Sequence, residues 1–330
     1  MKVLVVGVFK ENPSEGMEVI TAAIVNSLQE DFGANVAVYS TRTTLKYLTQ
    51  ILHFKPQVIV FTHGPGIGVL LLSRLLHCIT GAKIIWVASR PSLTNVPSLV
   101  LRSTHVDHIL LGQSNKQLSA IQKHTSAQLH NIVIGIDFGR IQDRKTDKQA
   151  TRSRILGRQC NASAPLLLHV GHIRHNRGLD KLVEVKELMG ASVEIVIVGS
   201  PALTADQALV DKLKAAEISV YREFSDDLGS IYDSADYYVF PLDPNTGGAV
   251  DLPLSVLEAL ASGTPVLSTR FGALPHKLKD VRGIVFSNYC NIVDMMVEHT
   301  KNLPTGQVVD PLPPEFDLRN VAQAIIELSR

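Results

Sequence analysis

The chain has 330 residues, of which 45% are hydrophobic and 19% are charged. That length suits two α/β domains of roughly 150 residues each, and the composition excludes a disordered polymer. The net charge of +1 conceals two unlike halves, since residues 1–150 hold 15 Lys and Arg against 9 Asp and Glu, and residues 151–330 hold 17 against 22. The halves therefore carry +6 and −5. A basic half attracts an anionic membrane, a phosphorylated acceptor or nucleic acid, unless its charges belong to an ordinary solvated surface.

Neither the first residues nor the apolar stretches predict a targeting signal or a membrane span. The run Val3–Val8 has the length of a strand and is too short for a signal-peptide core with its cleavage site. The most apolar stretch, residues 66–87, contains Arg74 and Lys83, which oppose insertion into a bilayer. The three cysteines lack metal-ligand spacing and are expected to be reduced. We therefore expect a cytoplasmic protein.

From the first residue onward, short β-branched segments alternate with longer amphipathic ones, a pattern typical of βαβ units and parallel sheets. In the first half, helices are predicted over Glu18–Gln29 and Gly68–Cys78. The strands predicted there are Lys2–Val8, Val36–Tyr39, Val58–Thr62, Lys83–Val87, His108–Leu111 and Asn131–Ile134. This half is expected to form one doubly wound domain over residues 1–150.

The polar, turn-rich segment 143–165 separates this pattern from a second copy of it. The strands predicted in the second half are Leu166–Val170, Glu194–Val198, Ser219–Arg222, Tyr237–Pro241, Pro265–Ser268 and Gly283–Phe286. A second doubly wound domain is therefore predicted over residues 151–330. Ligands of open α/β sheets bind beyond the carboxyl ends of the strands, so the site is expected in loops that follow strands.

One helix of the second domain has the features of an anion site. Pro253 suits its first turn and Gly263 its carboxyl-terminal cap, and a loop with two glycines precedes it. Spacings of four and three place Asp251, Ser255 and Glu258 on one side of it. Free N–H groups at Leu254 and Ser255 can hold a diphosphate, and Glu258 can accept both hydroxyls of a ribose. The same spacing fits a capped amphipathic helix whose glutamate merely faces solvent.

The sequence around this helix resembles a known family. Ala-Asp-x4-Pro at 235–241 and Leu-Glu-Ala-Leu-Ala-Ser-Gly-Thr-Pro-Val at 257–266 resemble the donor-site signature of the retaining GT-B glycosyltransferases of family four, "glycosyl transferases group 1". The likeness is clear over residues 165–290 and fainter over 1–140. It implies an α/β fold of GT-B architecture, with two doubly wound Rossmann-like domains facing across a cleft. The first would bind the acceptor and the second the nucleotide-sugar donor.

A second block, residues 171–182, resembles the family's diphosphate-binding loop, in which an arginine and a lysine hold the donor. In this chain His172 stands in the arginine position and Arg177 in the lysine position. A guanidinium chelates phosphate oxygens, so Arg177 suits the role. His172 is a departure, because an imidazole is only partly charged at neutral pH. We expect Arg177 and Glu258 to face a solvent-filled cleft.

Other parts of the chain complete the resemblance. Gly199 and Ser200, with Arg222 one strand further on, resemble the base pocket, although they also fit plain core strands with turns. Gly16 resembles the family's glycine loop, which closes over the donor diphosphate and the acceptor. The segment 134–137 resembles the one that precedes the crossover to the second domain, and a structural role is expected for it.

The sequence departs from the family at the reacting sugar. The family commonly has two acidic residues eight positions apart, and Val250 stands eight before Glu258. Asp251 is then the nearest acid for the sugar hydroxyls. The family's histidine near the reacting carbon is also missing, which leaves His63 as the catalytic candidate. Arg90 is the candidate for binding an acceptor phosphate.

Taken together, the resemblance implies a metal-independent hexosyltransferase that retains the anomeric configuration and needs no cofactor. Its diphosphate leaving group would accept the acceptor's proton, while cations and helix N–H groups stabilise the developing charge. An Asp-x-Asp metal motif is missing at the strand ends, so no metal ligand is predicted. Two rivals stay open: a non-catalytic nucleotide-sugar-binding or partner subunit, since the sugar-side acid and histidine are missing, and a sugar-nucleotide epimerase on the same fold.

The expected partners follow from this interpretation and from the charge of the first half. They are a nucleotide diphosphate sugar and a sugar, lipid-linked or phosphate-bearing acceptor of cell-envelope or glycan biosynthesis. Peripheral contact with an anionic membrane at its inner face is an additional expectation, and nucleic acid is not expected as a partner.

Overall fold

The computed structural model describes residues 1–10, 16–40, 44, 46–62, 67–88, 105–112, 118, 122–142, 147–201, 204–223, 225, 227–246, 250–303 and 308–330. His63, Arg90 and the glycine pair at 247–248 lie outside these residues. The chain divides into two compact units. Unit 1 comprises Met1–Asp137, Ala249–Leu252 and Pro314–Arg330, and unit 2 comprises Phe138–Gly248 and Pro253–Pro313. The division therefore falls at Asp137, earlier than the boundary predicted near residue 150.

Unit 1 contains a parallel sheet of six strands in the order β2-β1-β3-β4-β5-β6. Its strands are β1 Lys2–Val6, β2 Asn35–Tyr39, β3 Val58–Phe61, β4 Lys83–Val87, β5 His108–Leu111 and β6 Gln128–Asn131, and its first helices are α1 Gly16–Glu30, α2 Leu48–Phe54 and α3 Ile67–Thr80. The inner strands are almost wholly buried, as expected for a parallel sheet covered on both faces.

The last strand of this sheet corrects one prediction. β6 pairs with β5 from Gln128 to Asn131, whereas the sequence predicted a strand over Asn131–Ile134. Val133 and Ile134 are buried, but they follow the strand. These two apolar residues thus lie where the chain leaves the sheet and enters the core. The prediction was wrong because an apolar pattern indicates burial and does not by itself indicate hydrogen bonding to a neighbouring strand.

Unit 2 contains a second parallel sheet of six strands, in the order β12-β11-β10-β7-β8-β9. Its strands are β7 Leu166–Val170, β8 Glu194–Val198, β9 Ser219–Tyr221, β10 Tyr237–Phe240, β11 Val266–Thr269 and β12 Ile284–Ser287. Its helices are α4 Gly139–Gln142, α5 Lys148–Leu156, α6 Asp180–Met189, α7 Gln207–Ala215, α8 Leu228–Asp233, α9 Leu254–Ala261, α10 Leu274–Lys277 and α11 Ile292–Lys301. The six strands predicted for this half are confirmed.

The end of the chain returns to unit 1, which the sequence did not predict. The last helix, α12 Arg319–Ser329, packs against α1. Ile136 donates its N–H to the carbonyl of Phe316 at 2.9 Å and accepts from Leu318 N–H at 2.9 Å. A Cβ on Gly135 would lie 1.8 Å from the Phe316 oxygen, so only glycine allows this close approach. Residues 134–137 therefore have the structural role that was expected.

The predicted α/β class with two parallel sheets is confirmed. Among the helices that the structure describes, none is both long and apolar enough to cross a membrane.

Candidate functional site

The strand order of unit 2 creates a binding position between β7 and β10. Counted along the chain, the order of its strands is 3-2-1-4-5-6, and the connections leave these two neighbouring strands in opposite directions. In open α/β sheets, ligands bind at such a switch point, outside the carboxyl ends of the strands. Val170 ends β7 and Phe240 ends β10. The segments that follow these two residues contain most of the predicted donor-site residues.

The segment after β7 places the predicted diphosphate cations beside the switch point. A 3₁₀ turn covers His175–Arg177 and ends at Gly178, whose φ is 69°. A Cβ on Gly178 would lie 2.0 Å from the carbonyl oxygen of Pro241, just after β10. Glycine therefore lets the turn pack closely on the neighbouring strand's end. His172 and Arg177 are both half-buried there.

A buried histidine, His169 in β7, lies under these cations and was not predicted as a site residue. Its Nδ1 is 3.0 Å from the carbonyl oxygen of Val239, so Nδ1 carries the hydrogen and Nε2 presents a lone pair. Among the described residues, Nε2 has no hydrogen-bond partner. Burial, with smaller contributions from the neighbouring Arg177 and His172, lowers the His169 pKa to about 4. The signal in the sequence was a histidine inside the otherwise apolar strand Leu-Leu-Leu-His-Val.

Tyr238 joins the two central strands to the first turn of α9. Its hydroxyl donates to Ser255 Oγ at 2.7 Å and lies 3.3 Å from the carbonyl oxygen of Val170. Burial is the main reason why the pKa of Tyr238 is raised. Because α9 begins at Leu254, the N–H groups of Leu254 and Ser255 belong to the first turn, where no intrahelical acceptor is available. These two donors are therefore placed near the switch point.

Glu258 is buried, which corrects the expectation that it faces a solvent-filled cleft. Its exposed fraction is 7%. Tyr232 donates its hydroxyl to Glu258 Oε2 at 2.9 Å, and Arg140 Nη1 lies 3.8 Å from Oε1. Burial and the neighbouring Glu258 carboxylate hold the pKa of Tyr232 well above its usual value, so its hydroxyl stays a donor. The alternative of a glutamate that merely faces solvent is wrong for the same reason.

Asp251 does not lie on this helix, contrary to the spacing argument. Pro253 is the N-cap residue of α9, so the helix begins after Asp251. Asp251 belongs to unit 1, whereas Ser255 and Glu258 belong to unit 2. It is 9% exposed, and in unit 1 it lines a small pocket with Ile20, Ala88, Gly112, Ile134, Val250 and Leu252. The predicted cap at the other end is confirmed, since Gly263 follows α9 with a φ of 77°.

The structure brings the three predicted base-pocket residues together. Arg222 Nη2 donates to the carbonyl oxygen of Ser200 at 3.5 Å. Gly199 lies beside them, because a Cβ built on it would be 2.7 Å from Ile173 and 3.4 Å from Arg222. All of them follow β8 or β9 at the same edge of the sheet as the diphosphate candidates.

Unit 1 has its own switch point between β1 and β3. Gly16 begins α1, in the connection that follows β1. Thr21 in α1 and Thr62 after β3 share a hydrogen bond at 2.7 Å, and a Cβ on Gly7 would lie 2.0 Å from Thr62 Oγ1. Lys10 pairs with the buried Glu18 at 2.6 Å. His63 and Arg90, the other candidates of this half, are not among the described residues.

Comparison with known proteins supports a likeness to glycosyltransferases. Residues 164–303 match the family described as "Glycosyl transferases group 1". Sulfoquinovosyl transferase SQD2 of Arabidopsis thaliana is 24% identical over 248 residues, which cover 70% of this chain and 46% of that protein. The chain thus spans about half the length of this relative.

Solved structures share the fold over nearly the whole chain. Anabaena Alr3699/HepE in complex with UDP-glucose superposes with a TM-score of 0.71 at 14% identity, covering 99% of both chains. Sucrose-phosphate synthase from Thermosynechococcus elongatus gives a TM-score of 0.71 at 11% identity, covering 99% of this chain and 94% of the other. The predicted GT-B fold is therefore confirmed.

The buried His169 should make stability depend on pH. Unfolding exposes an imidazole with an ordinary pKa near 6.5, whereas the folded pKa is about 4. Between these values the unfolded chain binds a proton that the folded chain does not. The free energy of unfolding should therefore fall as pH falls through this window, by up to about 3 kcal/mol. Urea unfolding between about pH 4 and pH 7 should show this slope, and His169→Phe should make it shallower, although His108 and His130, whose pKa values burial also lowers, keep part of it.

His299→Phe is the matched control, because His299 is a partly exposed ring in the same unit that contacts Tyr237. This variant should keep the wild-type slope. A His169→Phe protein that loses stability on acidification as steeply as the wild type would contradict the assignment.

Proposed function

We propose that the protein is a glycosyltransferase that moves a sugar from a nucleotide diphosphate sugar to an acceptor. The observation that carries this is the grouping of His172, Arg177 and the first turn of α9 at one switch point. All of these lie within the residues that match the glycosyltransferase family. Alr3699/HepE holds UDP-glucose on the same fold, so a UDP-sugar is the first donor to test.

Each part of the donor has a proposed partner in unit 2. Arg177, His172 and the N–H groups of Leu254 and Ser255 hold the diphosphate. Glu258 accepts the ribose hydroxyls, because its carboxylate has about four acceptor positions and Tyr232 uses one of them. The base is proposed to lie against the cluster formed by Gly199, Ser200 and Arg222.

The chemistry that fits these groups is substitution at the anomeric carbon with retention of configuration. The bond from that carbon to the phosphate oxygen breaks, and a bond to the acceptor oxygen forms on the same face. The acceptor's proton passes to the leaving phosphate oxygen, whose charge Arg177 and the helix N–H groups stabilise. We propose that no metal ion takes part. Asp251 and His63 are proposed to contact the transferred sugar, with Gly16 at the diphosphate and Arg90 at the acceptor.

Two measurements separate this proposal from its rivals. Incubation with UDP-sugars and a panel of sugar and lipid-linked acceptors should release UDP only when an acceptor is present. A non-catalytic subunit would bind the nucleotide sugar but release no UDP. An epimerase would convert the free nucleotide sugar without any acceptor.

Arg177→Ala should weaken UDP binding by about 10- to 150-fold, since a charged hydrogen bond is worth roughly 1.5–3 kcal/mol. Arg177 is a better test than Glu258, whose removal also breaks a buried hydrogen bond to Tyr232 and lowers stability. Calorimetric titration with UDP measures the change. Arg174→Ala is the matched control, because Arg174 is an exposed arginine in the same loop, and it should bind UDP as the wild type does. Equal affinities in both variants would remove the diphosphate site from this loop.

Affinity for the intact donor should depend on pH through His172. A bound diphosphate favours a protonated imidazole, so binding should be tighter near pH 6 than near pH 8, where most imidazoles are neutral. His172→Arg should keep the tight binding at both values, and His172→Ala should lose the gain at low pH. His169 stays neutral over this range, given its pKa of about 4, and does not contribute. The same pH profile in all three proteins would show that His172 does not contact the donor.

We also propose that the acceptor is lipid-linked or phosphate-bearing and is reached at an anionic membrane surface facing the cytoplasm. On α3, Leu71, Leu75 and Ile79 recur every four residues and are 59%, 41% and 37% exposed. Such an apolar row on a half with a charge of +6 fits the headgroup region of an anionic bilayer.

Leu71→Ser combined with Leu75→Ser should abolish sedimentation with anionic vesicles, and neutral vesicles should not bind the wild type. Leu188→Ser is the matched control, since Leu188 is an exposed leucine of α6 in unit 2. Wild-type protein that fails to bind anionic vesicles at low salt would refute the proposal.

A further inference from the structure

A cluster of metal-ligand side chains lies at the amino edge of the first sheet, where β4 and β5 begin. His77 is in the last turn of α3, and His105 and Asp107 shortly precede β5. The ligand atoms of these three side chains all lie within 4.8 Å of one another. We propose that the three residues bind one divalent transition-metal ion of the zinc type.

The orientation of His77 favours a metal ligand. Its Nδ1 is 2.9 Å from the carbonyl oxygen of Ala82. A carbonyl only accepts, so Nδ1 carries the hydrogen and Nε2 keeps its lone pair. Metal-binding histidines are commonly held this way, with the second ring nitrogen donating to a backbone carbonyl, which fixes both the tautomer and the ring.

Asp107 is held in a similar manner and supplies the negative charge. Ile84 N–H donates to Asp107 Oδ2 at 2.7 Å, which leaves Oδ1 directed toward His105. Oδ1 is 3.3 Å from His105 Nε2. Two ligands at about 2.0–2.1 Å from a tetrahedral zinc ion are about 3.3 Å apart, so this pair already has the required spacing.

The two imidazoles lie face to face. Their ring centroids are 3.6 Å apart and the rings are inclined by 14°. Because the two ring planes are nearly parallel, their nitrogen lone pairs cannot both point at one ion in this arrangement, and binding requires the exposed His105 ring to rotate out of the stack. The ligand set of two nitrogens and one carboxylate oxygen fits zinc with a water in the fourth position. Magnesium and calcium prefer sites made of oxygen alone.

The role of this site is structural. It would tie the end of α3 to the start of β5, both in unit 1. It lies at the amino edge of the sheet, whereas Gly16 and the other candidates of this half follow the carboxyl ends of strands. The site is therefore independent of the metal-free reaction proposed above, and its test does not depend on glycosyl transfer.

The test is zinc titration of the tag-free, EDTA-treated full chain. Calorimetry should show one zinc ion bound with micromolar or tighter affinity, and saturating zinc should raise the unfolding temperature by about a few degrees. His105→Ala removes a ligand that is largely exposed. Asp107→Asn removes the charge but keeps an oxygen for Ile84 N–H. Each variant should weaken zinc binding at least about 10-fold and reduce the thermal shift at a given zinc concentration.

Variants at two other histidines are the controls. His124→Ala changes an exposed histidine of unit 1 and should bind zinc as the wild type does. His108 and His130 form a neighbouring pair, with their ring nitrogens 3.2 Å apart, and His130→Ala should also leave binding unchanged. The proposal is overturned if the wild type binds no zinc. It is equally overturned if His105→Ala and Asp107→Asn bind zinc with the wild-type affinity, or if His130→Ala weakens binding instead.

Discussion

One buried carboxylate, Glu258, constrains the arrangement of the candidate donor site. Taking a carboxylate out of water costs several kcal/mol unless hydrogen bonds and a nearby positive charge compensate it. Tyr232 of α8 donates the hydrogen bond and Arg140 of α4 brings the positive charge. Because α9 cannot turn about its axis without leaving this carboxylate unpaired, three helices are fixed by one side chain. The direction of the first turn of α9, with Leu254 and Ser255, is fixed as a result.

The same turn is tied to the sheet by Tyr238. Its hydroxyl hydrogen-bonds to Ser255 Oγ at 2.7 Å, which links β10 to the start of α9. The ring of Tyr238 lies parallel to that of His169, with the centroids 6.2 Å apart. β7, β10 and α9 therefore form one rigid corner at the switch point. The loop from Gly171 to Gly178 brings the charged side chain of Arg177 and the imidazole of His172 to this corner, which suits a surface that binds a charged ligand without rearranging the core.

The sequence was sufficient for the sheets because fully buried parallel strands are short, continuous apolar runs, as in Leu166–Val170. It failed at β6, where Val133 and Ile134 are buried without belonging to a strand. The helix that contains Glu258 could be predicted from local spacing and from the family resemblance. The burial of Glu258 could not be predicted, because its partner Tyr232 is 26 residues away and the contact exists only in the folded chain.

The return of the chain to unit 1 was missed for the same physical reason. The pairing of Ile136 with the segment near Phe316 produces no periodic pattern in the local sequence. Gly135 indicates only that another part of the backbone packs closely against it. His169 is different, since its signal was visible. A histidine within an otherwise apolar strand indicates a specific hydrogen bond or a functional role. The family resemblance pointed to the neighbouring His172 and not to His169.

At the amino edge of each sheet, an aspartate side chain accepts a hydrogen bond from the backbone of a neighbouring strand. This shared contact explains why the carboxyl edges are available for ligands. Asp107 precedes β5 and accepts from Ile84 N–H in β4, and Asp236 precedes β10 and accepts from Leu166 N–H in β7, both at 2.7 Å. Each carboxylate pairs with a backbone donor at the start of the neighbouring strand and so sets the register of two parallel strands. Asp236 is also held by Arg152 at 2.9 Å. Because these contacts at the amino edge set the strand register, the loops at the carboxyl edge are not needed to hold the sheet together. Their residues can therefore be suited to ligand binding.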